Sequence, residues 1–216
     1  MNTAHRLDDQ LLLAVNGFAR DTPGLHGVLL DYGKYGLVVF AALLLAALVA
    51  ARGRTSTALA ATGWAAVATL LALAVNQPLG HLVAEARPYV THPAILRLAD
   101  RTTDFSFPSD HAVMAGAVAA GLTIAHRRLG AIAWVAALLM AFTRVYIGAH
   151  YPWDVAAGLV LGSLVALVGW LVLRRPLVWL TARLREQPGL RSLFGEPHAE
   201  SSAQAGPLSG SVAARS

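Results

Sequence analysis

Residues 108–125 read PSDHAVMAGAVAAGLTIA and join a polar tetrapeptide to an uninterrupted apolar run. Ser109 stands where a helix N-cap belongs, and Asp110 and His111 fall in the first turn. Capping alone explains the serine and the acid. The N-terminus of a helix also offers free backbone N–H groups and the positive end of the dipole, which together favour an anion. The stretch therefore predicts a helix that begins at a cap, a phosphate site, or both.

The composition places this helix in a membrane. Of 216 residues, 56% are hydrophobic and 13% are charged, against about 25% charged in soluble domains. The charges are also segregated, with arginines between long uncharged runs. We predict an all-α, polytopic bundle of five to six transmembrane helices. The absence of cysteine excludes disulfides, thiolate metal sites and cysteine nucleophiles.

Five apolar runs are candidate spans, and polar ends such as 143–147 can extend the shorter ones. They cover approximately Tyr35–Ala51, Thr57–Val75, Asp110–Ala125, Leu129–Phe142 and Val155–Leu173. We predict three parts of the chain: an amphipathic segment at 1–30 with an interfacial helix at 6–20, a transmembrane domain at 31–186, and a disordered cytoplasmic tail at 187–216. Whether residues 7–30 also cross the membrane is left open.

Arginine sets the predicted orientation. Arginines follow the first span (Arg52, Arg54), the third (Arg127, Arg128) and the fifth (Arg174, Arg175). By alternation these places share one side of the membrane, and the positive-inside rule makes that side the cytoplasm. The loops 76–109 and 144–154 then meet on the outer side. The basic pI of about 10.2 reflects this pattern, so we expect no nucleic-acid partner.

Three motifs fall in or beside those two outer loops. They are Arg87-Pro88 in EARPYV, the PSDH of residues 108–111, and TRVYIGAHYPWD at 143–154. Arg87 and Arg144 present planar forks of donors that match phosphate oxygens. His111, in the first turn of its helix, lies close enough to the anion site to give a proton to a leaving oxygen.

His150 and Asp154 form a second catalytic candidate pair. Proline at 152 favours a helix start there, which leaves His150 just outside the helix and Asp154 in the first turn. A carboxylate that binds one ring nitrogen of His150 leaves the other unprotonated and able to attack phosphorus. Each motif also has an ordinary structural explanation, such as a cap or an interfacial pair. Charged groups from separate loops gathered at membrane depth favour a functional site.

These residues resemble the type 2 phosphatidic acid phosphatase superfamily, whose motifs are Lys-x6-Arg-Pro, Pro-Ser-Gly-His and Ser-Arg-x5-His-x3-Asp. The resemblance covers approximately residues 76–154 and implies a haloperoxidase-like helical core. It implies that His150 is the nucleophile, that Asp154 orients it and that His111 protonates the leaving group. Arg87, Arg144, Ser109 and the backbone of Asp110 would hold the phosphoryl oxygens, without a metal or other cofactor.

This chain departs from the family pattern at three positions. Gly80 replaces the first-motif lysine, and the neighbouring His81 is a possible substitute. Thr143 replaces a serine and keeps its hydroxyl group. Asp110 replaces a glycine, and a carboxylate beside a phosphate should be turned away, protonated or paired with a cation.

Pro-Ser-Asp-His is similar to the variant in undecaprenyl-diphosphatases of the bacitracin-resistance type. The resemblance implies hydrolysis of undecaprenyl diphosphate on the outer face of the cytoplasmic membrane, which recycles the lipid carrier of cell-wall synthesis. Two alternatives remain open: a phosphatase of phosphatidic acid or phosphatidylglycerol phosphate, and a non-catalytic phospholipid-binding protein. A soluble haloperoxidase is disfavoured by the continuous apolar spans. The oligomeric state is not predicted.

Overall fold

The structure, a computed structural model, describes residues 3–187, and within that range it is helical and contains no strand. The helices are α1 (Thr3–Asp21), α2 (His26–Tyr35), α3 (Leu37–Ala51), α4 (Ser56–Val83), α5 (Pro88–Thr91), α6 (Asp110–Ala125), α7 (Arg127–Tyr146) and α8 (Pro152–Glu186), with a 3-10 turn at Pro23–Leu25. The all-α prediction is confirmed. The tail predicted at 187–216 lies, apart from Gln187, outside the described residues.

The short helix α6 is the centre of the bundle. It packs against α4, α7 and α8, and ten of its sixteen residues are buried. Glycines allow the backbones of α6 and α8 to approach closely, because a Cβ at Gly162 would overlap the Val113 carbonyl oxygen and one at Gly116 would overlap that of Leu159. Small residues at helix contacts are typical of membrane bundles. The segment that opens with PSDH is therefore the core around which the other helices are arranged.

Three helical segments are long and apolar enough to cross a membrane: Ser56–Thr91, Arg127–Tyr146 and Pro152–Glu186. A fourth candidate span is a bent pair, Pro23–Tyr35 with Leu37–Ala51, whose halves meet at 54°. Gly36 lies at this bend, where a side chain would collide with the Tyr32 carbonyl oxygen. At sixteen residues, α6 is about 24 Å long, and its neighbours enclose it. With α6 included, the arrangement agrees with the predicted polytopic bundle.

Two predicted element boundaries are wrong. The loop expected from Asn76 begins later, because α4 continues to Val83 and the polar side chains of Asn76 and Gln77 find partners across the bundle on Asp110. The fifth span does not stop at Leu173, because α8 continues through Pro176 to Glu186. Proline is tolerated in membrane helices where other groups satisfy the freed backbone.

The two ends of the bundle carry different residues, as the arginine pattern predicts. At one end, Arg54 Nη1 lies 2.8 Å from His126 Nε2, and Thr57 shares a cavity with Arg174 and Arg175. At the other end, the Ser109 N–H donates to the Asp154 carbonyl oxygen at 3.1 Å. All three arginine groups therefore share one end, and the three motifs share the other.

The N-terminal helix α1 contacts the motif end along its length. Asp8 Oδ1 accepts from the Trp153 N–H at 2.9 Å. Further along, the Asn16 amide exchanges two hydrogen bonds with the backbone of Leu96, at 2.8 and 2.9 Å. These contacts tie α1 to the start of α8 and to the loop before α6. Its location in a membrane interface remains a prediction.

Candidate active site

A cavity of about 400 Å³ opens at the motif end of the bundle. Its walls come from the last turns of α4, the link between α4 and α5, the loop 102–108, the first turn of α6, the end of α7 and the loop that follows α7. Among the residues predicted for the site, the cavity is lined by Arg87, Arg144, His111, His150, Asp110 and His81. Ser109 and Asp154 are fully buried beside it. The structure thus gathers residues that lie far apart in the sequence.

His150 is held in one orientation by the backbone. It is 2% exposed, and its Nδ1 lies 2.8 Å from the Ser106 carbonyl oxygen. A carbonyl can only accept, so Nδ1 carries the proton and Nε2 has the free lone pair. Nε2 faces Arg87, whose Nη1 lies 3.2 Å away. Burial is the main cause that lowers the pKa of His150, against a hydrogen bond with Asp154 that raises it. The ring is therefore neutral near pH 7.

Asp154 supports His150 less directly than the spacing predicts. Its Oδ2 lies 3.4 Å from His150 Nδ1 but accepts shorter hydrogen bonds, from the Ser106 hydroxyl at 2.5 Å and the Tyr151 N–H at 2.8 Å. The nearer partner of the ring nitrogen is thus the Ser106 carbonyl oxygen, and the carboxylate of Asp154, which the spacing predicts in that role, lies farther away. Asp154 fixes both the start of α8 and the segment that carries this carbonyl.

Arg87 contacts both the loop that carries His150 and the acidic residue Asp104. It is 7% exposed, and its Nη1 donates to the Ala149 carbonyl oxygen at 2.9 Å. Its Nη2 binds Asp104 Oδ2 at 2.9 Å, and its Nε reaches the Asp104 carbonyl oxygen at 3.4 Å. Burial raises the pKa of the Asp104 carboxyl, but a hydrogen bond with Thr102 and the charge of Arg87 outweigh it and lower this pKa. Asp104 is therefore ionised at neutral pH.

Arg144 and His111 complete the basic lining. The Arg144 Nη1 donates to the Gly33 carbonyl oxygen at 3.2 Å, while its Nε is buried and has no hydrogen-bond partner among residues 3–187. His111 lines the same cavity from the first turn of α6. Two guanidinium groups and two imidazoles therefore surround a space that could hold a phosphoryl group.

Two side chains of the PSDH motif make contacts that differ from those predicted. Ser109 is the N-cap residue of α6, but its side chain makes no capping bond, and its buried Oγ has no partner in the described part of the chain. Asp110 is turned toward α4, where Oδ1 accepts from Asn76 at 2.6 Å and from Gln77 at 3.1 Å. The neutral amides of Asn76 and Gln77 thus bind the Asp110 carboxylate, which would otherwise repel a bound phosphate.

Gly80 and His81 lie on the α4 wall of the cavity. A Cβ at Gly80 would meet only the Phe107 carbonyl oxygen, at an ordinary contact distance of 3.4 Å, so the backbone at this position accepts a β-carbon without a clash. His81 packs edge-on against Phe105, with ring centroids 5.4 Å apart. Thr143 is fully buried and lies outside the cavity lining.

Sequence reasoning missed Ser106, Asp104 and Asn76. Ser106 contacts His150 and Asp154 across 44 and 48 residues of chain, and Asp104 contacts Arg87 across 17. No spacing rule predicts loop contacts at such separations. The one available signal was chemical, because Asp110 required a partner and Asn76 carries a suitable donor.

Comparison with known proteins agrees with this geometry. Residues 61–176 match the model of the PAP2 superfamily. Undecaprenyl-diphosphatase BcrC of Bacillus subtilis is 29% identical over 184 residues, which cover 82% of this chain and 91% of that protein. Decaprenylphosphoryl-5-phosphoribose phosphatase of Mycobacterium tuberculosis is 32% identical over 168 residues, covering 76% and 90%.

A solved structure shares the fold. The crystal structure of LpxE from Aquifex aeolicus superposes with a TM-score of 0.60 at 23% identity, covering 75% of this chain and 93% of that one. The matched residues 61–176 contain all three motifs and extend from α4 into α8. With its apolar spans, this chain belongs to the PAP2 superfamily and is a membrane phosphatase.

Proposed function

We propose that this protein removes the terminal phosphate of undecaprenyl diphosphate through a phosphohistidine at His150. One observation carries the proposal: His150 presents an unprotonated Nε2 to a cavity that also contains two arginines and a second histidine. An imidazole held in a single tautomer is a competent nucleophile toward phosphorus. The similarity to an undecaprenyl-diphosphatase over 91% of that protein's length supports the choice of lipid.

The proposed reaction has two steps. In the first, His150 Nε2 forms a bond to the terminal phosphorus while the bond to the bridging oxygen breaks, and His111 gives its proton to that oxygen. In the second, His111 accepts a proton from water as the water oxygen attacks the phosphohistidine, which releases inorganic phosphate and restores His150. The negative charge of a bound phosphate favours the protonated form of His111 needed at the start.

Arg87 and Arg144 bind the phosphoryl oxygens in this proposal. Their positive charges stabilise the charge that develops on those oxygens in the transition state. Ser109 and the backbone of Asp110, at the start of α6, are proposed to add hydrogen bonds. Asp154 acts through Ser106 and His150, because its carboxylate lies behind the imidazole rather than in the cavity. The proposed chemistry requires no metal or other cofactor.

The proposed location of the reaction is the outer face of the cytoplasmic membrane. The motif end lies opposite the three arginine groups, and the positive-inside rule assigns arginine-rich ends to the cytoplasm. A lipid diphosphate carries its charged group at the interface and its tail in the bilayer. A cavity at the ends of apolar helices suits such a substrate.

A second candidate substrate is a lipid phosphate whose lipid or headgroup differs from that of undecaprenyl diphosphate. The relative from M. tuberculosis, at 32% identity, is named for a decaprenylphosphoryl phosphoribose, so a sugar phosphate on a prenyl carrier could occupy the same site. Phosphatidic acid and phosphatidylglycerol phosphate remain further alternatives.

Release of inorganic phosphate from a panel of lipids tests the proposal. The panel contains undecaprenyl diphosphate, phosphatidic acid and phosphatidylglycerol phosphate, each in detergent with EDTA, and His150→Ala gives the background. We expect kcat/KM for undecaprenyl diphosphate to exceed the others by at least about tenfold, or about 1.4 kcal/mol. A higher value for another lipid would reassign the substrate. Binding of a lipid without any release would favour the non-catalytic alternative.

A further inference from the structure

A second cavity, of about 500 Å³, lies at the arginine end of the bundle. The start of α4 contributes Thr57, and α8 contributes the remaining lining residues, Trp170, Arg174, Arg175, Val178 and Trp179. No acidic residue occurs in this lining. Besides the two arginines and the two tryptophans, Thr57 is the one lining residue with a polar side chain. The proposed reaction at His150 makes no use of this cavity.

The two arginines of this cavity are exposed and have no acidic partner in the described part of the chain. No hydrogen bond or ion pair joins Arg174 or Arg175 to another residue within 3–187. The nearby Arg183, by contrast, lies 3.4 Å from Glu186 and over the ring of Trp179. Two adjacent guanidinium groups at one cavity, with no carboxylate in its lining, favour an anionic partner, and phosphate is the anion that suits their donor geometry.

The lining residues on α8 also give this cavity an aromatic and apolar surface beside the arginines. Trp170, Arg174 and Val178 are four residues apart, as are Arg175 and Trp179, so these side chains form two neighbouring stripes along the helix, and both stripes line the cavity. Each arginine therefore has a tryptophan one turn away. Tryptophan prefers the boundary between hydrocarbon and water, and this surface combines apolar contact with anion binding.

Helix length places the cavity at that boundary. Asp154, beside the candidate active site, lies 20 residues before Arg174, which corresponds to about 30 Å along an α-helix. This is the thickness of the hydrocarbon core of a bilayer. If the active site lies at one interface, the arginine pair lies at the phosphate level of the opposite leaflet. Inorganic phosphate in solution offers no apolar part to contact the tryptophans.

We propose that this cavity is a binding site for the headgroup of an anionic phospholipid in the leaflet opposite the active site. Arg174 and Arg175 bind the lipid phosphate, and Trp170, Val178 and Trp179 contact the glycerol and the upper acyl chains. The site anchors α8 where the helix leaves the bundle. The lipid at this site is bound and is not hydrolysed.

Binding of phosphatidylglycerol to the detergent-purified full chain, followed by native mass spectrometry, tests the proposal. Phosphatidylcholine is the zwitterionic reference. We expect the wild type to bind phosphatidylglycerol preferentially, and Arg174→Gln with Arg175→Gln to weaken that binding by about 30-fold, since each cation near a membrane surface contributes about five- to sixfold. Arg174→Lys with Arg175→Lys keeps both charges and should retain most of the preference.

The matched control is Arg127→Gln with Arg128→Gln. Both residues are exposed, they also lack partners among the described residues, and they belong to the same end of the bundle but lie outside the cavity lining. This control should bind phosphatidylglycerol as the wild type does. Equal losses in both double variants, or no loss at Arg174 and Arg175, would overturn the site.

A soluble headgroup separates the lipid from free phosphate. Glycerol phosphate at the same concentration should leave phosphatidylglycerol binding unchanged, because it lacks the acyl chains that contact the tryptophans. Effective competition by glycerol phosphate would overturn the assignment to a membrane lipid. The measurement does not depend on turnover, so its failure would be distinct from a failure of the proposed phosphatase reaction.

Discussion

Arg87 is the residue at which the nucleophile and the anionic side of the cavity meet. One of its terminal nitrogens contacts His150 Nε2 at 3.2 Å, and the other contacts Asp104 Oδ2 at 2.9 Å. A phosphate that binds Arg87 through two oxygens must compete with the Asp104 carboxylate. Asp104 therefore weakens anion binding while it holds the guanidinium in position.

Substitution of Asp104 by asparagine tests this competition. We expect Asp104→Asn to lower the inhibition constant of vanadate, a phosphoryl transition-state mimic, by about three- to fivefold. Asp104 is 58% exposed, and exposed ion pairs contribute about 1 kcal/mol or less. Asp100→Asn is the control, because Asp100 is in the same loop but is 90% exposed and lies 4.0 Å from Lys34. An unchanged or higher inhibition constant for Asp104→Asn would refute the competition.

The pH dependence of kcat/KM tests the state of His150. Burial, followed by the charges of Arg144 and Arg87, lowers the pKa of His150 below its ordinary 6.5. A lowered pKa keeps the imidazole unprotonated as the pH falls toward that value, so the nucleophile is lost only below pH 6.5. We expect the acidic limb in the free enzyme below pH 6.5. An acidic limb that begins above pH 7 would contradict a neutral His150.

At the residue scale, the sequence predicts which side chains meet but not how they are oriented. The four-residue interval between His150 and Asp154 indicates the pair, and the structure brings the two within 3.4 Å. The Ser106 carbonyl oxygen is instead the acceptor for the His150 Nδ1–H. The loop 102–108 brings this oxygen to the ring across more than 40 residues of chain. Backbone acceptors of this kind leave no pattern in the sequence.

At the scale of elements, the close approach of α6 and α8 positions the site. Gly158 lies against the Ser109 carbonyl oxygen, 2.8 Å from where its Cβ would stand, and Gly162 faces the Val113 carbonyl oxygen. Ser109 begins α6 and Asp154 lies in the first turn of α8. The separation of these two helices therefore controls the distance between His111 and His150.

Substitution of Gly162 by valine should separate the two helices. We expect Gly162→Val to lower the free energy of unfolding by about 1–3 kcal/mol, which is typical of overpacked cores, and to lower kcat more than it raises KM. Thermal unfolding in detergent and phosphate release measure the two effects. Gly63→Val is the control, because a Cβ at Gly63, in the helix α4, meets nothing within 4 Å. Equal effects of the two substitutions would rule out the packing explanation.

Element boundaries were less predictable than element types. Hydropathy indicates the apolar runs, and every one of the five is helical in the structure. It does not indicate that α4 continues past Asn76, because the partner of that amide is Asp110, 34 residues away. It also does not indicate the bend at Gly36, where Met140 and Tyr32 pack too close to the glycine to leave room for a Cβ.

At the scale of the whole molecule, the proposed orientation can be tested by labelling. The chain contains no cysteine, so a single introduced cysteine is the only thiol. We expect Arg101→Cys, exposed in the loop before α6, to react with a membrane-impermeant maleimide in intact cells. Arg128→Cys, exposed at the arginine end, should react only after permeabilisation. The reverse pattern would place the active site on the cytoplasmic side.

In the proposed reaction His150 carries the phosphoryl group during turnover, and this intermediate can be trapped. Undecaprenyl diphosphate labelled in the terminal phosphate is mixed with excess enzyme, quenched in alkali, and digested for mass spectrometry of the peptide around residue 150. We expect transient phosphorylation of His150 in the wild type and none in His150→Ala, which should also release no phosphate. Label on a different residue, or undiminished phosphate release by His150→Ala, would refute the phosphohistidine mechanism.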